Sequence, residues 1–328
     1  MLSGLNIAFL NIILCSFFSF ISAPLVKRIG EKFNIIDVPN SRKVHKHPIV
    51  RIGGLSIFTT FFLYFFISKN LFDSNIFYSD SKINLSAILV GAFLYFLIGI
   101  HDDIFKSSPL LRLFLQFLIA FIVANFGINF GTLDFSVPFL GNINFKLPQN
   151  FNYIVTSFWI VGTTNSINWL DGIDALAAGY SSILSFGLCL LMLLQGNIIG
   201  IIYFSILFGS ILGFLIRNFK PAFYIMGDCG SNFLGFCFSA SALVFLKDSS
   251  SNSINIFYLL ILFSLPIGDM LLVILSRFVK GKNIFLPDKS HLHHRLINLN
   301  FGYSKIIFFL YSYSFLSIIF GVYSLINS

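Results

Sequence analysis

Charged side chains are scarce in this sequence. They make up 10% of 328 residues, whereas a soluble domain of this length carries about a quarter. A fold with so few charges could not cover its surface in water, and an apolar share of 56% excludes a disordered chain. Cysteine is also rare, and the four residues form no CxxC pair, which argues against a disulfide framework and a zinc site. The composition indicates a polytopic membrane protein whose chemistry lies in a few polar segments.

Long apolar stretches fill most of the chain. A helix needs about 20 apolar residues to cross a bilayer, and ten stretches qualify: 3–24, 52–68, 84–101, 109–127, 151–168, 175–195, 197–216, 231–247, 254–276 and 305–325. We therefore predict an all-α polytopic integral membrane protein with about ten transmembrane helices, built as one domain over residues 1–328. Apolar and polar residues alternate within 128–150, which predicts a short β-hairpin around Gly141-Asn142.

Lysine and arginine are distributed unequally over alternate loops. Of the 21 basic residues, 17 fall in one set of loops and four in the opposite set; the basic set is 25–51, 102–112, 169–174, 217–230 and 277–305. By the positive-inside rule the basic loops are cytoplasmic, and both termini lie outside. Many of these charges need only set the topology, but such a face also attracts phosphorylated lipids and nucleotides.

The acidic residues concentrate where predicted spans meet the cytoplasm. Asp102 and Asp103 close the third span. A helix C-terminus already carries partial negative charge, so two carboxylates there are disfavoured unless a cation offsets them. That cation is either a bound metal or the pair Lys106 and Arg112. An adjacent acidic pair in a short loop can also be a solvated turn.

A second polar segment closes the fifth span. Asparagine and aspartate recur there at every third position, as Asn165, Asn168, Asp171 and Asp174. Neighbouring members of this series share a helix face, but over nine residues a regular helix would carry the last member to the opposite side. We expect Gly172 to break the helix, so that Asp174 opens the sixth span. An N-cap role for Asp174 and interhelical hydrogen bonds for the asparagines are the simpler alternatives.

Three other segments carry polar residues on the same face. In GDCGSN, glycines flank Asp228, so backbone N–H groups can approach an anion and the carboxylate suits Mg²⁺. His45 and Lys46 in the first basic loop form either a lipid-headgroup patch or a nucleotide clamp. The last basic loop holds a cluster: His291, His293, His294 and Arg295. Three histidines suggest zinc, but a fourth ligand of suitable spacing is missing, so phosphate recognition suits this setting better.

These segments and their order resemble the polyprenyl-phosphate N-acetylhexosamine-1-phosphate transferases, glycosyltransferase family 4. That family carries a DD pair, an NxxNxxDGxDGL segment, a GDxGS segment and a His-rich loop. The counterparts here are HDD at 101–103, NSINWLDGIDAL at 165–176, MGDCGS at 226–231 and HLHHR at 291–295. Ala175 stands where the family usually has Gly, a change we expect to be tolerated.

The resemblance implies a membrane phosphotransferase. It would transfer N-acetylhexosamine-1-phosphate from a UDP-sugar to undecaprenyl phosphate, release UMP and start a cell-envelope polysaccharide at the cytoplasmic face of the plasma membrane. HLHHRL resembles the branch that uses UDP-N-acetylglucosamine, with the muramoyl-pentapeptide branch as the alternative within the family. A nucleic-acid partner is not expected, and a homodimer stays open.

The resemblance also implies residue roles. Mg²⁺, with Mn²⁺ as a substitute, would bind Asp228, with Asn168 or Asp171 beside it. Asp102 and Asp103 would position or deprotonate the lipid phosphate, or one of the catalytic aspartates, Asp171 included, would act as a nucleophile in a double displacement. We favour positioning, because the lipid phosphate is already mostly a dianion at pH 7. Substrate contacts are expected from the remaining candidates: Asn165, Asp174, His45, Lys46, His291, His293, His294 and Arg295.

Two readings from other classes fit less well. A transporter would explain ten spans, but it would place ionisable residues near mid-membrane and show repeated halves. Asp269 alone fits that pattern, within LPIGDMLL. An intramembrane prenyltransferase would need two carboxylate motifs for one diphosphate, and the sequence offers one candidate pair.

Overall fold

A computed structural model describes residues 2–39, 47–71, 82–137, 141–247, 253–281 and 290–326. These ranges contain twelve helices: α1 (Leu2–Lys32), α2 (Gly54–Leu71), α3 (Lys82–Phe105), α4 (Pro109–Asn125), α5 (Gln149–Leu170), α6 (Leu176–Gln195), α7 (Ile198–Asn218), α8 (Gly227–Phe245), α9 (Ile256–Leu262), α10 (Ser264–Val279), α11 (Leu292–Asn298) and α12 (Tyr303–Ile326). They also contain five strands: β1 (Ile36–Asp37), β2 (Ile49–Val50), β3 (Thr132–Val137), β4 (Gly141–Lys146) and β5 (Ser253–Asn255). The predicted site residues His45 and Lys46 lie outside the described residues.

The helices account for every predicted apolar stretch. Within the described residues, five are long and apolar enough to cross a membrane, in α1, α3, α6, α7 and α12. A sixth candidate is the α9–α10 pair, which bends by 84°. The apolar parts of α2 and α4 are shorter, while α5 and α8 are long enough but more polar because they carry site residues. The chain is therefore a mostly helical multi-pass membrane protein.

Two small sheets depart from an all-α fold. β1 pairs with β2, and β3 pairs with β4 as the predicted hairpin. The predicted turn position was wrong, because Gly141 already pairs with Val137 inside the ladder. Alternation specifies which face a residue occupies but not where the chain reverses. The parallel pairing of β5 with β3 was not predicted, since three residues are too few to show a period of two.

α8 is the central helix of the fold. It is buried along most of its length and packs against α2, α3 and α5. On the side of α3, a Cβ at Gly99 would lie 2.2 Å from the backbone oxygen of Asp228, so a larger residue would push the two helices apart. The outermost helices expose large apolar side chains instead, such as Phe9 of α1 and Phe308 of α12. This arrangement brings the C-terminal end of α3 to the first turn of α8.

Candidate active site

A cluster of charged side chains forms where α3 ends and α8 begins. We call it the carboxylate cluster and define it by five residues: Arg51, Asp102, Asp103, Arg112 and Asp228. The carboxylate of Asp103 accepts the backbone N–H of Asp228 at 3.0 Å and that of Cys229 at 2.9 Å. Asp103 therefore caps the N-terminus of α8, where the helix dipole favours negative charge. This contact offsets the unfavourable position of the same residue at the C-terminal end of α3.

Arginine side chains are the cations that offset the adjacent carboxylates of Asp102 and Asp103. Arg112 Nη1 lies 2.9 Å from Asp102 Oδ2, as predicted. Asp103 pairs with Arg51 instead of Lys106, at 2.8 Å from Nε to Oδ1, and Arg51 Nη2 lies 2.9 Å from Asp228 Oδ2. Burial lowers the pKa of Arg51, but Asp103 and Asp228 outweigh it and raise that pKa above its usual range. Arg51 is thus a permanent cation shared by two carboxylates.

Sequence reasoning missed Arg51 because nothing local distinguishes it from the other basic residues of its loop. Its position comes from pairing between distant segments. The N–H of Ile225 donates to the Val50 carbonyl at 2.9 Å, and the N–H of Gly53 donates to the Ile225 carbonyl at 2.9 Å. These bonds fix Arg51 beside the start of α8.

Two residues from the end of α5 also reach the carboxylate cluster. Asn168 Nδ2 lies 2.6 Å from Asp228 Oδ1 and 2.7 Å from Ser231 Oγ. Burial, followed by the negative charges of Asp228 and Asp103, raises the pKa of Asp171 well above its usual range. Both predicted neighbours of Asp228 therefore lie beside it.

The turn at 171–175 separates α5 from α6, as predicted from Gly172. Asp174 does not open α6, because the helix starts one residue after Ala175, which occupies the N-cap position with φ of 65°. The prediction that Asp174 opens the sixth span was therefore wrong, and the alternative of an N-cap role is not met either. Its backbone carbonyl accepts the hydroxyl of Tyr303 from α12 at 3.0 Å. The left-handed conformation of Ala175 explains a preference for Gly at this position.

A chain of buried amides links the cluster to Asn165. Asn165 Nδ2 donates to Gln116 Oε1 at 2.8 Å, and Gln116 Nε2 donates to Asn232 Oδ1 at 2.6 Å. Asn232 Nδ2 in turn donates to the Asp228 carbonyl at 2.8 Å. Gln116 was not predicted as a site residue, although a glutamine inside the apolar sequence of α4 is itself a signal of polar contact. In the structure it is fully buried.

The histidines lie on a separate element, which we call the histidine segment and define as residues 290–298. His291 Nδ1 lies 2.9 Å from Asp269 Oδ2 of α10, and Arg295 Nε donates to the Ser290 carbonyl at 2.7 Å. The His293 and His294 rings are neighbours, with centroids 4.4 Å apart. The predicted phosphate ligands of this loop thus belong to one short helix, α11, and to its N-cap residue, His291.

His293 is the most unusual member of the histidine segment. Its side chain is buried, and neither ring nitrogen has a hydrogen-bond partner among the described residues. The ring packs on Gly172, where a Cβ would lie 2.4 Å from it. Burial lowers the pKa of His293 to about 3. The imidazole is therefore neutral near pH 7. A hydrogen bond between this ring and a phosphate would lack the contribution of a positive charge on the ring.

A groove of about 470 Å³ joins the two regions. Arg112 of the carboxylate cluster and His291 of the histidine segment both line it, together with Asn165 and Trp169 of α5 and Arg277 of α10. The rest of the wall is apolar and is supplied by α4, α5 and α10, including Phe158, which is 63% exposed on the outer surface of the helix bundle. The structure thus places charged groups at an apolar groove that opens between helices.

Comparisons with known proteins agree with this geometry. The sequence model of Glycosyl transferase family 4 matches residues 85–246, which include most of α3 and all of α5 and α8. A probable undecaprenyl-phosphate N-acetylglucosaminyl 1-phosphate transferase of Bacillus subtilis is 36% identical over 90% of this chain and 79% of its own length. This chain belongs to Glycosyl transferase family 4.

More distant relatives carry related names. A decaprenyl-phosphate N-acetylglucosaminephosphotransferase of Mycobacterium leprae is 28% identical over 89% of this chain and 77% of its own. An undecaprenyl-phosphate alpha-N-acetylglucosaminyl 1-phosphate transferase of Yersinia pestis is 28% identical over 84% and 73%. The family resemblance inferred from the four motifs is confirmed.

Proposed function

We propose that this protein transfers N-acetylglucosamine-1-phosphate from UDP-N-acetylglucosamine to undecaprenyl phosphate, releasing UMP. The names of the relatives support the acceptor class and the sugar. The observation that carries the proposal is the apolar groove that opens between helices and reaches Arg112 of the carboxylate cluster. Such a site can hold a lipid chain while charged groups meet phosphates. The product would start a cell-envelope polysaccharide.

The ion pairs support positioning roles for the aspartates. Asp102 is held by Arg112, and Asp103 by Arg51 and two backbone N–H groups. Carboxylate oxygens held in this way are not free to attack phosphorus, while a phosphate monoester is mostly dianionic at pH 7 without a dedicated base. The lipid phosphate would therefore attack the sugar-bearing phosphorus directly, in a single displacement. The P–O bond to UMP breaks as the new P–O bond forms.

The donor set also fits a divalent cation. Four carboxylates and two guanidinium groups form ion pairs here, which leaves an excess of negative charge; the carboxylates are Asp37, Asp102, Asp103 and Asp228. The described residues contain no group of three or more His, Cys, Asp or Glu arranged to hold a metal, but Mg²⁺ usually takes one or two carboxylates and completes its shell with water and phosphate.

We therefore assign Mg²⁺, or Mn²⁺, to Asp228 with Asn168 or Asp171 beside it. A 180° rotation of the Asn168 amide would present its oxygen to a cation held by Asp228, in place of the present hydrogen bond from Nδ2. When bound, such a cation would stabilise negative charge on the diphosphate and on the departing UMP. Arg51 and Arg112 meanwhile hold the carboxylates in place.

The basic loops support a cytoplasmic site. Labelling can test this, because the four native cysteines are buried. Cysteine introduced at Ser290, in the histidine segment, should be protected from a membrane-impermeant reagent in intact cells. Cysteine at Lys146, which is exposed in β4, should react. The reverse pattern would place the carboxylate cluster on the outer face and contradict the use of a cytoplasmic nucleotide.

A direct assay tests the reaction itself. Purified protein is mixed with undecaprenyl phosphate and each of several UDP-sugars, and UMP release is measured. We expect turnover with UDP-N-acetylglucosamine and little with UDP-N-acetylgalactosamine or UDP-N-acetylmuramoyl-pentapeptide. Turnover confined to the last donor would move the protein to the other branch of the family. Absence of UMP release with every donor would refute the proposal.

A further inference from the structure

Asp269 is a buried carboxylate that the reaction described above does not use. It lies in α10 within an apolar sequence and is 3% exposed. An ionisable residue inside a membrane helix is costly, so it generally has a partner and a function. The partners of Asp269 lie 22 and 23 residues away in sequence, in the histidine segment.

Both carboxylate oxygens of Asp269 are engaged. Oδ2 lies 2.9 Å from His291 Nδ1, and Oδ1 accepts the backbone N–H of Leu292 at 2.6 Å. An ionised carboxylate can only accept hydrogen bonds, so His291 Nδ1 must carry the proton. The contact therefore fixes both the ring and its tautomer and leaves Nε2 as the remaining polar atom. Trp169 holds the ring from another side, with centroids 5.4 Å apart.

His291 presents this ring to the groove that also contains Arg112 and Arg277. When this imidazole is protonated, Nε2 is also a donor. Three groups able to donate to an anion thus meet one groove. Apolar side chains of α4, α5 and α10 dominate the rest of its wall, including the exposed Phe158. An anionic head with a long apolar tail matches this wall better than a nucleotide does.

We propose that Asp269 is a positioning residue that fixes His291 so that Nε2, together with Arg112 and Arg277, binds the phosphate head group of the polyprenyl carrier. The inference rests on the proposed function, because it assigns one of the two substrates to this part of the groove. It also explains why a carboxylate is present in the middle of α10.

A binding measurement without turnover tests the head-group assignment. Trp159 is replaced by phenylalanine, which leaves Trp169 in the groove wall as the single tryptophan reporter. Its fluorescence is titrated with undecaprenyl phosphate and, separately, with undecaprenol, which has the same tail and no phosphate. We expect Asp269→Asn to weaken undecaprenyl phosphate binding roughly tenfold. The bond from His291 Nδ1 would then go to a neutral amide oxygen instead of a carboxylate, so it would no longer be charge-assisted. Undecaprenol binding should not change.

A double-mutant cycle separates positioning from packing. Asp269→Asn, His291→Gln and the double variant are compared with Glu31→Gln, an exposed acid on α1, as the control. The phosphate preference is the ratio of the affinities for undecaprenyl phosphate and undecaprenol. If Asp269 acts through His291, this preference should fall no further in the double variant than in His291→Gln alone. The KM for undecaprenyl phosphate should rise in the transfer assay while the KM for the UDP-sugar stays unchanged.

Other outcomes contradict the inference in distinct ways. Equal weakening of both lipids by Asp269→Asn, or additive effects in the cycle, would mean that Asp269 only supports helix packing. If Asp269→Asn cannot be purified, His291→Gln carries the test, and an unchanged preference for the phosphate would overturn the assignment. A wild-type protein that binds neither lipid and releases no UMP would instead refute the proposed function.

Discussion

The carboxylate cluster and the histidine segment reach the same groove but are held in different ways. The cluster is built from the ends of long helices, and each of its three aspartates forms an ion pair with an arginine. The histidine segment rests on a seven-residue helix, attached to α10 by Asp269 and to the turn at 171–175 by the contact of His293 with Gly172. The carboxylate cluster is thus held by several ion pairs, whereas the histidine segment is a small element that a few contacts hold in place.

This difference predicts how each region responds to change. Removing one charge from the carboxylate cluster leaves other buried charges without compensation, so the effect should be large and electrostatic. A change in the histidine segment should instead alter how often its helix is docked, since short elements with few contacts open locally. The predictions below follow from that contrast, in order of decreasing effect.

Asp228→Asn should have the largest effect, because it preserves shape while removing a charge at the centre of the cluster. We expect transfer to fall by roughly a thousandfold or more, which is the cost of losing a charged metal ligand. UMP release measures it, and Glu31→Gln is the control. Chelator should abolish wild-type activity, and Mg²⁺ or Mn²⁺ should restore it. Normal turnover in chelator, or an active Asp228→Asn, would end the metal assignment.

Arg51→Gln should destabilise the fold, because Asp103 and Asp228 lose the guanidinium between them. The side chain of Asp103 is fully buried, so we expect a loss of about 3 kcal/mol in the free energy of unfolding. The extra negative charge should also strengthen cation binding. Melting curves should therefore show a larger stabilisation by Mn²⁺ in Arg51→Gln than in wild type or in the exposed-site control Arg28→Gln. An equal response in all three would show that the cation binds away from Arg51.

The sequence identified the residues of both regions better than their partners. Asp102, Asp228 and Asn168 were found because spacing along one helix and position at a span end are local signals. Arg51 and Gln116 were missed because their roles depend on contacts with residues more than 50 and more than 100 positions away. Asp269 was noticed only as a residue typical of a transporter, because its bond to His291 joins residues 22 positions apart in separate elements.

Helix prediction succeeded for a similar reason. Apolar runs mark helices directly, and all ten runs coincide with helices. The errors lie in short connections, where Asp174 and Gly141 were each assigned to the wrong side of an element boundary. Boundaries depend on a few hydrogen bonds and are therefore the least predictable part of a helix or strand.

The histidine segment should undock as the pH falls. The pKa of His293 is about 3 when buried and about 6.5 when the ring is in water. Below pH 6.5 the undocked state takes up a proton that the docked state does not, so the docking free energy is complete above that pH and falls as the pH drops toward 3. The loss approaches about 1.4 kcal/mol per pH unit.

Hydrogen exchange of residues 292–298, corrected for intrinsic rates, measures this opening. Between pH 6 and pH 5 the open population should rise by roughly eightfold in wild type. His293→Gln cannot take up a proton at this position, so its profile should be flat, whereas His101→Gln, an exposed histidine on α3, should behave like wild type. A flat wild-type profile would show that His293 is not buried in the way described.

Ala175→Gly should have the smallest effect, and it probes the turn on which both regions depend. Ala175 has φ of 65°, a left-handed conformation that costs an alanine about 1 kcal/mol and costs glycine nothing. Glycine also adds freedom to the unfolded chain and removes a buried methyl group, so the gain should largely cancel and the net change should stay below about 1 kcal/mol. The matched control is Ala178→Gly, an equally buried alanine inside α6, which also loses a buried methyl group and should lose about 1 kcal/mol more through helix propensity. Melting temperatures of the two variants should therefore separate, with Ala175→Gly near wild type and fully active. If both variants lost the same stability, Ala175 would not carry left-handed strain, and the tolerance of alanine at this family position would need another explanation.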